Sequence, residues 1–149
     1  MGARQGTEPT LTVAEITHLV AQHFPQLGPP GKRIVIEAAG PGTAVVRMRA
    51  SDDMLRPGGT VSGPAMFTLA DVGIYIAILG VRGPAALEAV TSNLSISFLA
   101  RPAPRDLIAH VELLKIGRRL AFGEVALYSD GQAAMVAHAT ATYAMPEGS

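Results

Sequence analysis

From Ala65 to Leu79 the chain runs through 15 residues of almost unbroken apolar character, interrupted by Thr68 and Asp71. A helix drawn through this stretch is apolar on every side and has no face to give to water, so other structure must wrap it. Ser62 or Gly63 serves as its cap, Pro64 takes a first-turn position and Gly80 closes it. A run of this length falls short of the roughly 20 residues needed to cross a bilayer. It reads as a core helix and not as a membrane span.

The cover comes from strands. Thr12 and Glu15 form a capping box for a first helix whose apolar face is Ile16, Leu19, Val20 and Phe24, ending near Pro25. A glycine- and proline-rich stretch, Gly28 to Gly31, leads into a strand from Ile34 to Ala39, a turn at Gly40-Pro41-Gly42, and a returning strand from Thr43 to Ala50. Ser51 to Gly59 is polar and carries Pro57-Gly58-Gly59, a loop signal. From Leu87 the period becomes two, with Val90, Leu94, Ile96 and Phe98 on one face and Thr91, Asn93, Ser95 and Ser97 on the other. Three further strands are expected at about Asp106 to Ile116, Leu120 to Tyr128 and Gln132 to Met145, turning at Gly117 and at Asp130-Gly131. The order is helix, hairpin, long buried helix, then a four-strand antiparallel meander. One curved sheet around one helix, an α+β fold, is the simplest solution.

Composition narrows the function. At 149 residues the chain is one domain, residues 1–149, with residues 1–9 read as a loose terminus. Twelve basic and 12 acidic residues cancel, aromatics make up 5% and tryptophan is absent, so neither a polyanion partner nor an aromatic nucleic-acid platform is expected. There is no cysteine, and Met1 to Pro9 lacks the pattern of a secretion signal. There is no disulfide or thiolate chemistry, and a cytoplasmic protein is the expectation that fits. His18, His23, His110 and His138 show no metal-ligand spacing, so no metal site is expected. Ser62 lacks a nucleophile-elbow context.

Asp71 is the charge that needs explaining. An ionised carboxylate in apolar surroundings costs several kcal/mol unless it is paired. It is either a structural acid satisfied by donors such as Thr68 or a partner chain, or a group kept for chemistry.

Three segments bear on that choice: Gly59-Thr60-Val61-Ser62-Gly63-Pro64, then Leu69-Ala70-Asp71, then Asn93 to Pro102. With Gly117-Arg118-Arg119 and Val136 to Thr140, they resemble the hotdog-fold acyl-CoA thioesterases of the phenylacetic-acid-degradation type, over about residues 40 to 145. The resemblance implies a curved antiparallel sheet around a central helix, chains joined edge to edge into homodimers, and dimers paired into homotetramers. It implies a catalytic acid at Asp71 and a coenzyme A thioester as substrate, with no separate cofactor. The family's usual helix entry is His-Gly-Gly, where this chain has Ser62-Gly63-Pro64, and its usual Asn is replaced by Arg56. Ser62 and Arg56 thus stand at positions that orient substrate in the family.

Thioester hydrolysis requires a base or nucleophile on one side of the carbonyl and hydrogen-bond donors for the oxyanion on the other. The first N–H groups of a helix have no intrahelical acceptor, so the Gly63 N–H is the natural oxyanion donor, while Pro64 has none to give. Asp71 lies eight residues further on, about 12 Å along the axis. One chain therefore cannot complete the site, whereas a two-fold dimer can. Thr91 or Ser92 is placed to orient the water or the carboxylate. Lys115, Arg118 and Arg119 around a turn, with Arg101 beside Pro102, are suited to the phosphates of coenzyme A. Met66, Phe67 and Tyr75 are candidates for the acyl pocket. A non-catalytic acyl-CoA binding protein is the alternative, motivated by Ser62 and Arg56. A dehydratase would need a histidine at the central helix, and a transcriptional regulator would need a DNA-binding segment.

Overall fold

The computed structural model describes residues 10–27 and 33–147. The expected loose terminus and the Gly28–Gly31 stretch lie outside them. Helix α1 (Val13–His23) forms with both halves of the expected capping box. Thr12 Oγ1 accepts from the Glu15 N–H at 3.1 Å, and Glu15 Oε1 accepts from the Thr12 N–H at 2.8 Å. The apolar face of α1 seats Ile16, fully buried, against the end of the central helix. There the Leu11 N–H donates to Gly80 O at 2.9 Å.

The hairpin forms as β1 (Ile34–Gly40) and β2 (Thr43–Met48), turning at Gly42 with φ of 74°. The second strand stops at Met48, short of the expected Ala50, because Arg49 onward enters the loop. Within the expected Ser51–Gly59 loop β3 (Leu55–Arg56) forms, and it pairs with β4 (Thr60–Val61) just beyond the loop, which leads into the central helix.

That helix, α2 (Gly63–Arg82), is 20 residues long and begins as expected, with Ser62 Oγ accepting from the Ala65 N–H at 3.2 Å. It does not close at Gly80. The turn continues to Arg82, and Gly83, at a φ of 67°, ends it. The helical segment Gly63–Ala86 is therefore long and apolar enough to cross a membrane, which the shorter run in the sequence was not. What marks it as a core helix is its cover, since 78% of its apolar window is buried within the fold.

The cover is a six-stranded antiparallel sheet in the order β1-β2-β6-β7-β8-β5, with β5 (Val90–Phe98), β6 (Leu107–Ile116), β7 (Leu120–Ser129) and β8 (Ala137–Ala144). This is the hotdog architecture. The four-strand meander expected from sequence order is only partly right. β6, β7 and β8 are successive neighbours, but β5 lies beyond β8 and the hairpin takes the other side of β6. Alternation tells which face of a strand is buried, not which strand lies beside it. β8 also starts at Ala137 and not at Gln132, since the preceding residues turn and bend.

Two glycines let helix and sheet approach closely. A Cβ on Gly73 would meet Val111 Cγ2 at 2.8 Å, and one on Gly123 would meet Ile74 Cδ1 at 2.8 Å and Glu112 O at 2.9 Å. Around them Ile74, Ile76, Ile78 and Leu79 pack against Val46, Leu107, Val125 and Leu127, all fully buried, forming the aliphatic core that the composition required.

Candidate active site

The register of β5 determines what faces Asp71. β5 pairs with β8 so that Leu94 lies opposite Ala141 and Ile96 opposite Ala139, both inward positions. Between Thr91 and Asn93 the register slips by one residue, leaving Ser92 as an extra residue in a β-bulge. The bulge reverses the phase of everything before it. Thr91, opposite Tyr143, turns inward, and Val90, expected on the buried face, is 60% exposed.

Asp71 is half-buried on α2, and its carboxylate is held from two strands. Thr91 Oγ1 donates to Asp71 Oδ1 at 2.6 Å, and the Tyr143 hydroxyl donates to the same oxygen at 2.7 Å. The Tyr143 oxygen also lies 3.0 Å from the backbone carbonyl oxygen of Asp71. Among the described residues no donor reaches Oδ2. The carboxylate thus has one oxygen held by two hydroxyl donors and one without a donor among the described residues.

Burial pushes the Tyr143 phenol well above its ordinary pKa, and the neighbouring Asp71 charge adds to the effect. A phenol held protonated in this way remains a hydrogen-bond donor. Tyr75, one helical turn after Asp71, stacks on Tyr143 with ring centroids 6.2 Å apart and donates its hydroxyl to Leu87 O at 2.7 Å. Its phenol is also raised by burial.

Beside the carboxylate opens a cleft of about 220 Å³. Asp71, Thr91 and Tyr143 form its polar end, and Phe24, Leu27, Val72, Tyr75, Ala89 and Val90 line the rest. Phe24 comes from the end of α1 and meets Tyr75 edge to face at 5.6 Å. Of the three side chains expected for an acyl pocket, only Tyr75 lines this cleft. Met66 is buried in the core, and Phe67 is 41% exposed.

The remaining expected site residues are spread over two ends of the molecule. Gly63 stands at the start of α2 against the Phe98 ring, which a Cβ at Gly63 would approach to 3.3 Å. Phe98 and Thr91 lie toward opposite ends of β5, so the chain does not bring Gly63 to Asp71. Ser62 is the helix cap, Ser92 is the exposed bulge residue, and Arg56 sits exposed on β3 at the Gly63 end. Arg101 also lies at that end, with Nη1 3.7 Å from where a Cβ on Gly58 would stand. Lys115, Arg118 and Arg119 are exposed around the β6–β7 turn, and Arg118 and Arg119 line a surface cleft with Met145, Pro146 and Glu147. This group is near the Asp71 end, because the Met145 N–H, two residues beyond Tyr143, donates to Arg119 O at 2.8 Å.

Sequence reading missed Tyr143 and Phe24. The signal for Tyr143 was faint but present: it shares an inward phase with Ala139 and Ala141, and a hydroxyl on a buried strand face needs a partner. Phe24 was legible only as part of the apolar face of α1.

A family model described as the thioesterase superfamily matches residues 58–136. The chain belongs to this superfamily. A Pseudomonas aeruginosa protein, provisionally named an esterase, is 33% identical over 103 residues, 68% of this chain and 75% of that one. Among solved structures, a provisionally named thioesterase from Silicibacter sp. TM1040 superposes with a TM-score of 0.83 at 40% identity, covering 95% of this chain and 96% of its own. The Escherichia coli PaaI protein of the phenylacetic acid degradation operon has a TM-score of 0.68 at 25% identity, covering 78% and 81% of the two chains.

Proposed function

We propose that this protein is an acyl-CoA thioesterase that hydrolyses a small or medium acyl- or aryl-CoA thioester at a site shared across a homodimer. The observation that carries the reading is the Asp71 carboxylate at the polar end of an apolar cleft, with Oδ1 fixed by Thr91 and Tyr143 and Oδ2 free of described donors. As general base, Oδ2 takes a proton from water while the water oxygen attacks the thioester carbonyl carbon. The tetrahedral oxyanion accepts a hydrogen bond from a helix N-terminal N–H, and its collapse breaks the C–S bond. The departing thiolate takes the proton back, giving carboxylic acid and free thiol. Attack by Oδ2 itself, through an anhydride that water then opens, uses the same placement.

The oxyanion donor is Gly63 of the partner subunit. Among the described residues β5 is an edge strand of the sheet and carries exposed Val90 and Phe98, with exposed Leu99 just beyond, a hydrophobic edge of the kind that pairs with another chain. If two copies of β5 pair antiparallel about their middle, near Leu94, the Phe98 end of one meets the Thr91 end of the other. Gly63 of the partner subunit, packed by its own Phe98, then comes to Asp71. Arg118 and Arg119 of one chain, with Arg101 of the partner subunit, would flank the entrance and suit coenzyme A phosphates.

The test is release of free thiol from a panel of acyl- and aryl-CoA thioesters by the purified protein. Hydrolysis of at least one thioester is expected, with Asp71→Asn lowering kcat at least about a hundredfold while leaving the oligomer intact. Binding without thiol release across the whole panel would instead favour the acyl-CoA binding alternative that Ser62 and Arg56 motivate.

A further inference from the structure

We infer that the N-terminal helix sets the acyl-length limit of this site, with Phe24 as the end wall of the acyl pocket. The inference rests on the thioesterase reading for the identity of the ligand, but its geometry is independent of it.

Three aromatic rings run in a row away from the reactive carboxylate. Tyr143 touches Asp71, Tyr75 stacks on Tyr143, and Phe24 meets Tyr75 edge to face. The first two are tethered by their hydroxyls, Tyr143 to Asp71 and Tyr75 to Leu87 O. Phe24 has no polar tether, and its position is set by α1. That helix is fixed by Ile16, fully buried against Gly80, and by the Leu11 N–H bond to Gly80 O. The capping box at its start and the Phe24 N–H bond to Val20 O at 2.8 Å at its end hold the ring at a defined distance from Asp71. Leu27, one turn later, lines the same cleft.

A thioester whose carbonyl lies at Asp71 has an apolar channel for its acyl group along Val72 and Tyr75, and that channel meets the Phe24 ring. A cleft of about 220 Å³ suits a group of moderate size, since a closed apolar cavity of about 150 Å³ admits benzene. Phe24 and Leu27 lie outside the family-matched residues 58–136, so selectivity would come from a segment separate from the one that carries the acid.

The experiment is a chain-length profile of kcat/KM for straight acyl-CoAs from acetyl to myristoyl, measured for the native protein, Phe24→Ala and Phe24→Trp. Phe24→Ala is expected to move the optimum longer by about two carbons and to raise kcat/KM for the longer chains relative to the native optimum about tenfold or more. Phe24→Trp, which adds volume at the same place, is expected to move the optimum shorter. Profiles that keep the native optimum in both variants, with measurable activity, overturn the inference. If the native protein hydrolyses none of the panel, the thioesterase reading fails on its own, and the pocket is tested by calorimetry of the same acyl-CoAs. Tighter binding of long chains to Phe24→Ala then supports the inference, and identical length dependence in all three proteins rejects it. Phe24→Trp guards against a poorly folded alanine variant, because loss of α1 docking would not shorten the profile.

Discussion

One oxygen of Asp71 is committed to Thr91 and Tyr143 and the other is not, and this asymmetry predicts how the supports should behave when removed. A hydrogen bond to a charged group contributes about 1.5–3 kcal/mol, and Tyr143→Phe removes one donor while Thr91 still holds Oδ1. The expected loss is about tenfold in kcat with little change in KM, since the phenol acts on the carboxylate and not on the bound substrate. The decisive measurement repeats the change in the Asp71→Asn background. There Tyr143→Phe should alter the residual rate less than about twofold, because its partner charge has already gone. Equal losses in both backgrounds would show that Tyr143 acts elsewhere. In the sequence Asp71 stood out because one charge in an apolar helix has no local explanation. Of its partners, Thr91 was a candidate beside Ser92, and Tyr143 did not stand out. Tyr143 is 72 positions away, and Thr91 reaches inward only because Ser92 is extra.

At the scale of elements, the sequence reads best where a local rule is strong. The capping box at Thr12 and Glu15, the turn at Gly42 and the entry at Ser62-Gly63-Pro64 are each set by a few neighbouring residues, and all three form as read. The position of β5 is different, because pairing with β8 joins segments about 45 residues apart and alternation is indifferent to which neighbour is chosen. The bulge was invisible for the same reason, since it is a relation between two strands. Close approach of elements likewise involves residues that sequence does not place together. Gly123 on β7 lies under Ile74 and beside Glu112 O, so a methyl group there meets a side chain that can move and a carbonyl oxygen that cannot. Gly123→Ala is therefore expected to destabilise by about 1–3 kcal/mol, the cost of overpacking a core. Urea unfolding should show the midpoint falling with an unchanged slope, and an unchanged midpoint would mean that the helix and sheet separate there without cost.

For the whole molecule the question is whether two chains are needed for one site. The axial offset of about 12 Å between Gly63 and Asp71 along α2 cannot be closed by side-chain motion, because both are fixed to the same rigid helix. The proposed dimer makes a quantitative prediction from two defective chains. Asp71→Asn removes the acid. Gly63→Pro removes the N–H, and because a Cβ at Gly63 already approaches the Phe98 ring to 3.3 Å, this variant is first checked for an intact dimer. Each homodimer should be close to inactive. In a heterodimer of the two, one site draws Asp71 from the Gly63→Pro chain and the N–H from the Asp71→Asn chain, and so is intact, while the other carries both lesions. Co-expression with two different affinity tags and purification of the heterodimer should therefore recover about half of the native rate per dimer. If each chain instead held a complete site, every site in the heterodimer would carry one lesion and no activity would return. Recovery also requires that β5 be the joining edge, so a variant of that strand that yields monomers while keeping its pairing with β8 should abolish the rescue.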